Sequence, residues 1–389
     1  MTSQSRYVGV DPATGRALEV VVDGAVVHDV RSVTSTDATL PWLTAGLIDL
    51  QVNGYGGYDV NGPDVNADAV VAMTEALAEV GTTTFVPTLV TAAEDDIVRS
   101  LQAIGTARRK DERTRAAIPY VHVEGPHLSP QDGPRGVHAP EHIREPDVEE
   151  FRRWQAASEG LVGMVTISPH HPGSVVYTRH LVAAGTLVAV GHTHATPQDV
   201  RAVVDAGASL ATHLGNGAHA TIARHPNYIW AQLAEDRLTA GFIADGHHLP
   251  ADTLTAMLRA KGLQRSILVS DSVALAGLPP GEYETPVGGT VVLSHDGRLS
   301  ALGTPYLAGA ATPLAGCVPR LSRLAGLRLG EAMALATHNP ARFLPKQGLY
   351  PMAGGILPGA PADLIVFDHQ PDDVDLTVRH VVAAGRQVR

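Results

Sequence analysis

The chain has 389 residues, 44% of them hydrophobic and 18% charged, a composition that can bury a sizeable core and excludes a disordered polypeptide. Its formal charge of −11 argues against nucleic acid or an anionic membrane as the main partner, although a local pocket can still be basic. A single cysteine, Cys317, excludes an intramolecular disulfide and fits a reducing compartment. The N-terminus MTSQSRYVGVDPATG lacks a basic-then-apolar leader pattern and no apolar run reaches membrane-spanning length, so a cytoplasmic protein is expected.

In chain order, residues 18–30 read first, as a hairpin of two Val-rich runs around Asp23-Gly24. Short apolar runs follow at 46–52, 83–86, 118–123, 163–167, 187–190, 209–212, 238–243 and 266–270, each with the look of a buried parallel strand. Helical periodicity lies between most of them, as at 66–80 and at 197–206, where Thr196 is the expected N-cap and Pro197 the first helical residue. Eight strands interleaved with helices predict an α/β protein built on a (β/α)8 TIM barrel, and no GxGxxG follows the first strand to favour a dinucleotide fold. The segment 280–301 reads as an extra hairpin, and 362–368 and 380–388 as further short strands. With the N-terminal hairpin these predict a small β-sandwich domain formed by both chain ends, 1–44 with 345–389, around a barrel over 45–344.

Residues of acid, base or metal-ligand type fall just after the C-terminal ends of the predicted strands, where barrel enzymes build their sites. Glu124 follows IPYVHV, His192 follows TLVAVG, His213 follows SLAT and Asp271 follows SILVS. Any one histidine reads more simply as a hydrogen-bonded core or loop residue. Taken together, one carboxylate and two imidazoles suit a catalytic divalent metal with an open position for water.

The motifs AGLIDLQVNGYGG (45–57), HVEGPHLSPQDGPRGVHAPEH (122–142), VGHTHAT (190–196), THLGNG (212–217), ADGHHLP (244–250), LVSDSVALAGLPPGEY (268–283), LAG (307–309) and THNPARFL (337–344) run in order along the chain. In this the chain resembles the amidohydrolase superfamily, and within it the N-acetylglucosamine-6-phosphate deacetylases. The resemblance implies one divalent metal per subunit held by Glu124, His192 and His213: zinc, with iron(II), cobalt(II) or manganese(II) as alternatives. It implies Asp271 as general acid/base and His138 as the group that helps polarise the acetyl carbonyl. Val137, Asn216, Gly217, Arg224, His248, Leu307, Ala308 and Gly309 match substrate-binding positions for an amino-sugar phosphate, and the match at Arg224 implies a homodimer.

Where many superfamily members carry His-x-His to hold a second metal, this chain has Gln51-Val52-Asn53, and neutral amides are poor transition-metal ligands. After His213 the family usually shows an aromatic residue and then Asn-Ala-Met; here Gly215, Asn216, Gly217 and Ala218 stand there. Ala310 replaces a usual Ser, and Ser272-Val273 follow Asp271 in place of the commoner Ala-Met or Ala-Thr. Two other readings therefore stay open at this point: an amidohydrolase of N-acyl amino acids or cyclic amides, and a non-catalytic sugar-phosphate-binding homologue.

Overall fold

The computed structural model describes residues 4–34, 39–285, 289–304, 306–346 and 350–389. Eight parallel strands form the central sheet: β1 (Leu47–Val52), β2 (Thr82–Val90), β3 (Val121–Glu124), β4 (Val162–Ile167), β5 (Leu187–Val190), β6 (Leu210–Ala211), β7 (Thr239–Phe242) and β8 (Ser266–Leu268). All eight fall on the apolar runs of the sequence. They are buried over nearly their whole length, as parallel strands covered on both faces must be.

Neighbours in the sheet are neighbours in sequence, and the ends meet. A parallel bridge joins Val52 to Ser272, and the Asp271 N–H donates to the Gln51 carbonyl at 3.0 Å, so the sheet closes into a barrel. Ile48, Leu50, Val86, Met164, Ala189, Leu210, Ile243, Ile267 and Val269 fill its interior as one cluster. Helices cover the outside, and their starts follow local chemistry. Asn66 caps 67–79 by accepting from the Ala69 N–H, and Thr196 and Asp199 form a reciprocal capping box at Pro197–Asp205.

Asp49 lies at the closing seam. It is 1% exposed, and its carboxylate accepts from the Gln51 and Ser270 N–H groups. Burial dominates these bonds and pushes its carboxyl up to about 7. A carboxyl whose folded pKa exceeds its ordinary value gives stability that is complete below about 4 and is lost as pH rises through about 7. Asp49→Asn keeps an acceptor without the charge. Relative to the wild type it should be near neutral at pH 4 and more stable at pH 8, by on the order of a few kcal/mol, in denaturant titrations at the two pH values. An equal change at both would mean that the carboxyl does not titrate there.

The two chain ends build a second sheet. Seven strands join in the order Arg386–Gln387, Thr377–Ala383, Leu364–Asp368, Trp42–Ala45, Ser5–Val10, Ala17–Asp23 and Val26–Ser32. All neighbours are antiparallel except Ser5–Val10 beside Trp42–Ala45. The N-terminal hairpin turns one residue later than its sequence suggested. Asp23 pairs with Val26, so Gly24 and Ala25 make the turn, and Gly24 takes φ +59° as the first position of a type II′ turn requires. The expected hairpin at 280–301 is a three-stranded sheet of Gly281–Thr285, Gly289–Leu293 and Leu299–Ala301, with residues 286–288 outside the described set.

Candidate active site

Glu124 ends β3, His192 and His213 lie two residues past β5 and β6, and Asp271 lies three past β8, all at the C-terminal mouth of the barrel. Among the described residues five non-glycines have positive φ, and three of them are His192 (45°), His213 (23°) and Asp271 (51°). Backbone strain of this kind persists where the surrounding structure holds it, and here it turns the side chains into the mouth.

Glu124 Oε1 lies 2.9 Å from His213 Nε2 and 3.2 Å from His192 Nε2, and the two imidazole nitrogens are 3.1 Å apart. Glu124, His192 and His213 are the one group of three ligand-type side chains among the described residues that could hold a metal ion. His192 Nδ1 donates to the Pro134 carbonyl at 2.7 Å, which leaves the Nε2 lone pair facing the others. Gly217 backs the same ring: at φ +55°, an added Cβ would lie 2.6 Å from His192 Nδ1. Burial opposes charge on His213, but the hydrogen bond and charge of Glu124 outweigh it and lift the imidazole to about 9. Burial likewise opposes charge on Glu124, yet bonds from His192 and His213 hold its carboxyl well below the usual range. Three converging acceptors that retain a proton between them fit a cation, and His213 Nδ1, buried with no hydrogen-bond partner among the described residues, can carry the ring's own hydrogen.

His138 joins from the loop between β3 and β4. Its Nε2 is 3.3 Å from His192 Nε2 and its Nδ1 is 2.9 Å from Thr91 Oγ1. Burial, reinforced by His192, drops it to about 3, so the ring is neutral at physiological pH. The loop is clamped further on, where the Arg144 Nε donates to both Glu150 oxygens at 3.1 Å and Nη1 donates to the Ala92 and His142 carbonyls.

Asp271 Oδ2 lies 3.9 Å from His213 Nε2, while Oδ1 accepts from Gln51 and Asn53. Burial and then the Glu124 charge push this carboxyl above its ordinary range, the direction a proton carrier requires. His248 is close enough for its charge to bear on Asp271, and its Nδ1 is 2.6 Å from Asp245 Oδ2.

The remaining expected substrate residues are spread more widely. Asn216 donates through Nδ2 to the His213 carbonyl at 3.2 Å, and with Gly217 forms the wall beside the two histidines. Val137 is 56% exposed at the mouth. Leu307 bridges to Ser300, and the Ala308 N–H donates to the Leu299 carbonyl, so 307–309 continue the three-stranded sheet, with Gly309 at φ +129°. Arg224 stands apart: it is exposed, and no side-chain hydrogen bond or ion pair is seen for it among the described residues. Thr91 lies in none of the sequence motifs, and Pro134 and Asp245 lie within two of them without being marked as site residues; each bears on the site through a neighbour, Thr91 through His138, Pro134 through His192 and Asp245 through His248.

A sequence profile of the Amidohydrolase family matches residues 42–388. This chain belongs to the amidohydrolase family. Within the family it is 34% identical to an N-acetylgalactosamine-6-phosphate deacetylase of Escherichia coli O157:H7 over 340 residues, 87% of this chain and 86% of that one. It is 30% identical to an N-acetylglucosamine-6-phosphate deacetylase of Haemophilus influenzae over 363 residues, 90% of this chain and 91% of that one. Among solved structures, this amidohydrolase superposes on a variant N-acetyl-D-glucosamine-6-phosphate deacetylase of Mycobacterium smegmatis, in complex with N-acetyl-D-glucosamine-6-phosphate. The TM-score is 0.84 at 29% identity, over 99% of each chain.

Proposed function

We propose that this amidohydrolase removes the acetyl group from an N-acetyl hexosamine 6-phosphate, of gluco or galacto configuration, releasing acetate and the amino-sugar phosphate. The observation that carries it is the convergence of Glu124, His192 and His213 with Asp271 Oδ2 3.9 Å from His213 Nε2, in a chain that aligns with deacetylases of both sugars over most of its length. The barrel over 45–344 would be the catalytic unit.

Glu124, His192 and His213 would hold one divalent metal, zinc by preference for two imidazoles and a carboxylate. When bound, such an ion supplies Lewis acidity, lowering the pKa of water from 15.7 to about 7 and polarising a carbonyl. Asp271 Oδ2 takes the proton of the attacking water and returns it to the departing nitrogen, so one carboxylate serves as base and then acid. With Thr91 donating to Nδ1, neutral His138 keeps its hydrogen on Nε2 and offers it to the carbonyl oxygen as negative charge develops there. Asn216, Gly217, His248, Val137 and the 307–309 segment line the way in and position the sugar. Exposed Arg224 suits a phosphate held by a neighbouring subunit, which supports a homodimer; a single buried Cys317 supports a cytoplasmic setting.

Elemental analysis tests the metal assignment. Protein purified without chelator should carry close to one equivalent of a divalent transition metal, and Glu124→Gln should lose it. Two tightly held equivalents, the second beside Gln51 or Asn53, would contradict the single-metal reading.

A further inference from the structure

Gln51 is 3% exposed at the end of β1, among the charged groups of the site. Its Nε2 donates to Glu124 Oε2 at 3.0 Å and to Asp271 Oδ1 at 3.0 Å. A primary amide nitrogen has two hydrogens, so each carboxylate receives one. Asn53, on the same side of the strand, donates through Nδ2 to the same Asp271 oxygen at 2.8 Å. Asp271 Oδ1 is thereby fully engaged, and Oδ2 is left on the side of His213. Glu124 is divided in the same way, with Oε1 toward the two imidazoles and Oε2 held by the amide.

The seam between β1 and β8 does not need these side chains. Backbone bonds from Asp271 N to Gln51 O, from Asn53 N to Ser272 O and from Gly54 N to Ser272 O already close it, with Asp49 on the Ser270 N–H. The amide of Gln51 is therefore free for another task.

We propose that Gln51, assisted by Asn53, is a positioning residue: its amide hydrogens bridge Glu124 and Asp271, reserve Asp271 Oδ2 for the transferred proton and leave Glu124 only Oε1 for a metal. Two nearby carboxylates repel each other, and a cation between them would relieve the repulsion. The amide supplies two partial positive charges in that place without bringing a second ion. This inference rests on the reading of Asp271 as acid/base given above.

The test uses full-length, metal-loaded protein carrying Gln51→Leu or Gln51→Met, each of similar bulk with no hydrogen-bond donor and no charge. Each should keep about one metal equivalent while kcat falls on the order of 10- to 100-fold, the loss expected of a misplaced reacting group, and KM stays within about twofold. If one variant fails to fold, the other carries the measurement. In an Asp271→Asn background Gln51→Leu should cause no further loss, because a residue acting through Asp271 has nothing left to position. A crystal structure of metal-loaded Gln51→Leu should show the Asp271 carboxylate turned or split between rotamers. Wild-type kcat in both Gln51 variants, or losses that multiply in the double variant, would overturn the proposal while leaving Asp271 its role. Wild-type turnover in Asp271→Asn alone would overturn both.

Discussion

Asp271→Asn should lower kcat by at least about 100-fold, the usual size of a general-base contribution, with metal content unchanged. The amide fills the same space and keeps an acceptor for the Gln51 and Asn53 donors, which both reach Oδ1. Oδ2, toward His213, is the oxygen that would relay the proton, and an amide nitrogen there has no basic lone pair. Because Asp271 lies outside the three converging groups that could hold a metal, metal content should not fall. KM should change little, since a carboxylate that acts on the water and the leaving nitrogen would not hold the bound sugar. More than about a tenth of wild-type turnover, well short of a general base's usual share, would remove Asp271 from the mechanism.

Arg224→Ala carries the second large effect. The arginine is exposed in the segment after His213, and the backbone beneath it is fixed by Asn227, whose Nδ2 donates to the Ala223 carbonyl at 2.9 Å and whose Oδ1 caps the next helix. A guanidinium held out from the surface, with no acidic partner among the described residues, is suited to a phosphate, which it grips by charge-assisted bonds worth roughly 1.5–3 kcal/mol each. Removing it should reduce kcat/KM for a phosphorylated N-acetyl hexosamine by about ten- to a hundredfold and leave the unphosphorylated sugar almost unaffected. If the arginine serves a neighbouring subunit, mixing Arg224→Ala with Asp271→Asn should restore activity at one kind of site. Equal losses on both sugars would make Arg224 structural.

Much of the fold was legible because the barrel strands are buried on both faces and so read as short apolar runs; β1 to β8 all lie on such runs. Glu124, His192, His213 and Asp271 were legible for a related reason, since a polar residue just past a buried strand stands out. The rest depended on contacts across long separations. The sequence marks Gln51 as a poor metal ligand, but only the folded chain puts its nitrogen 3.0 Å from both Glu124 and Asp271. Thr91 is an ordinary threonine until it meets His138, 47 residues away. The 19 histidines of the chain were equally ambiguous as a class. Several of the 19 lie outside the converging group and are not free surface residues: His127 is buried against Trp154 and Tyr177, and His170 packs with tilted rings against His171 and His194, centroids 3.8 and 4.1 Å apart. Arg224 was marked in the sequence only through the resemblance to the deacetylases, not by any strand end or ligand pattern of its own.

Acetate release from matched sugars tests the central claim most directly. N-acetylglucosamine and N-acetylgalactosamine, each with and without a 6-phosphate, are offered to protein loaded with one equivalent of divalent metal. One acetate per amino-sugar phosphate formed, strong preference for a phosphorylated sugar, and loss of activity on chelation with recovery on re-addition of metal are the predicted results. No acetate from either phosphorylated sugar, with the metal bound, would contradict the account.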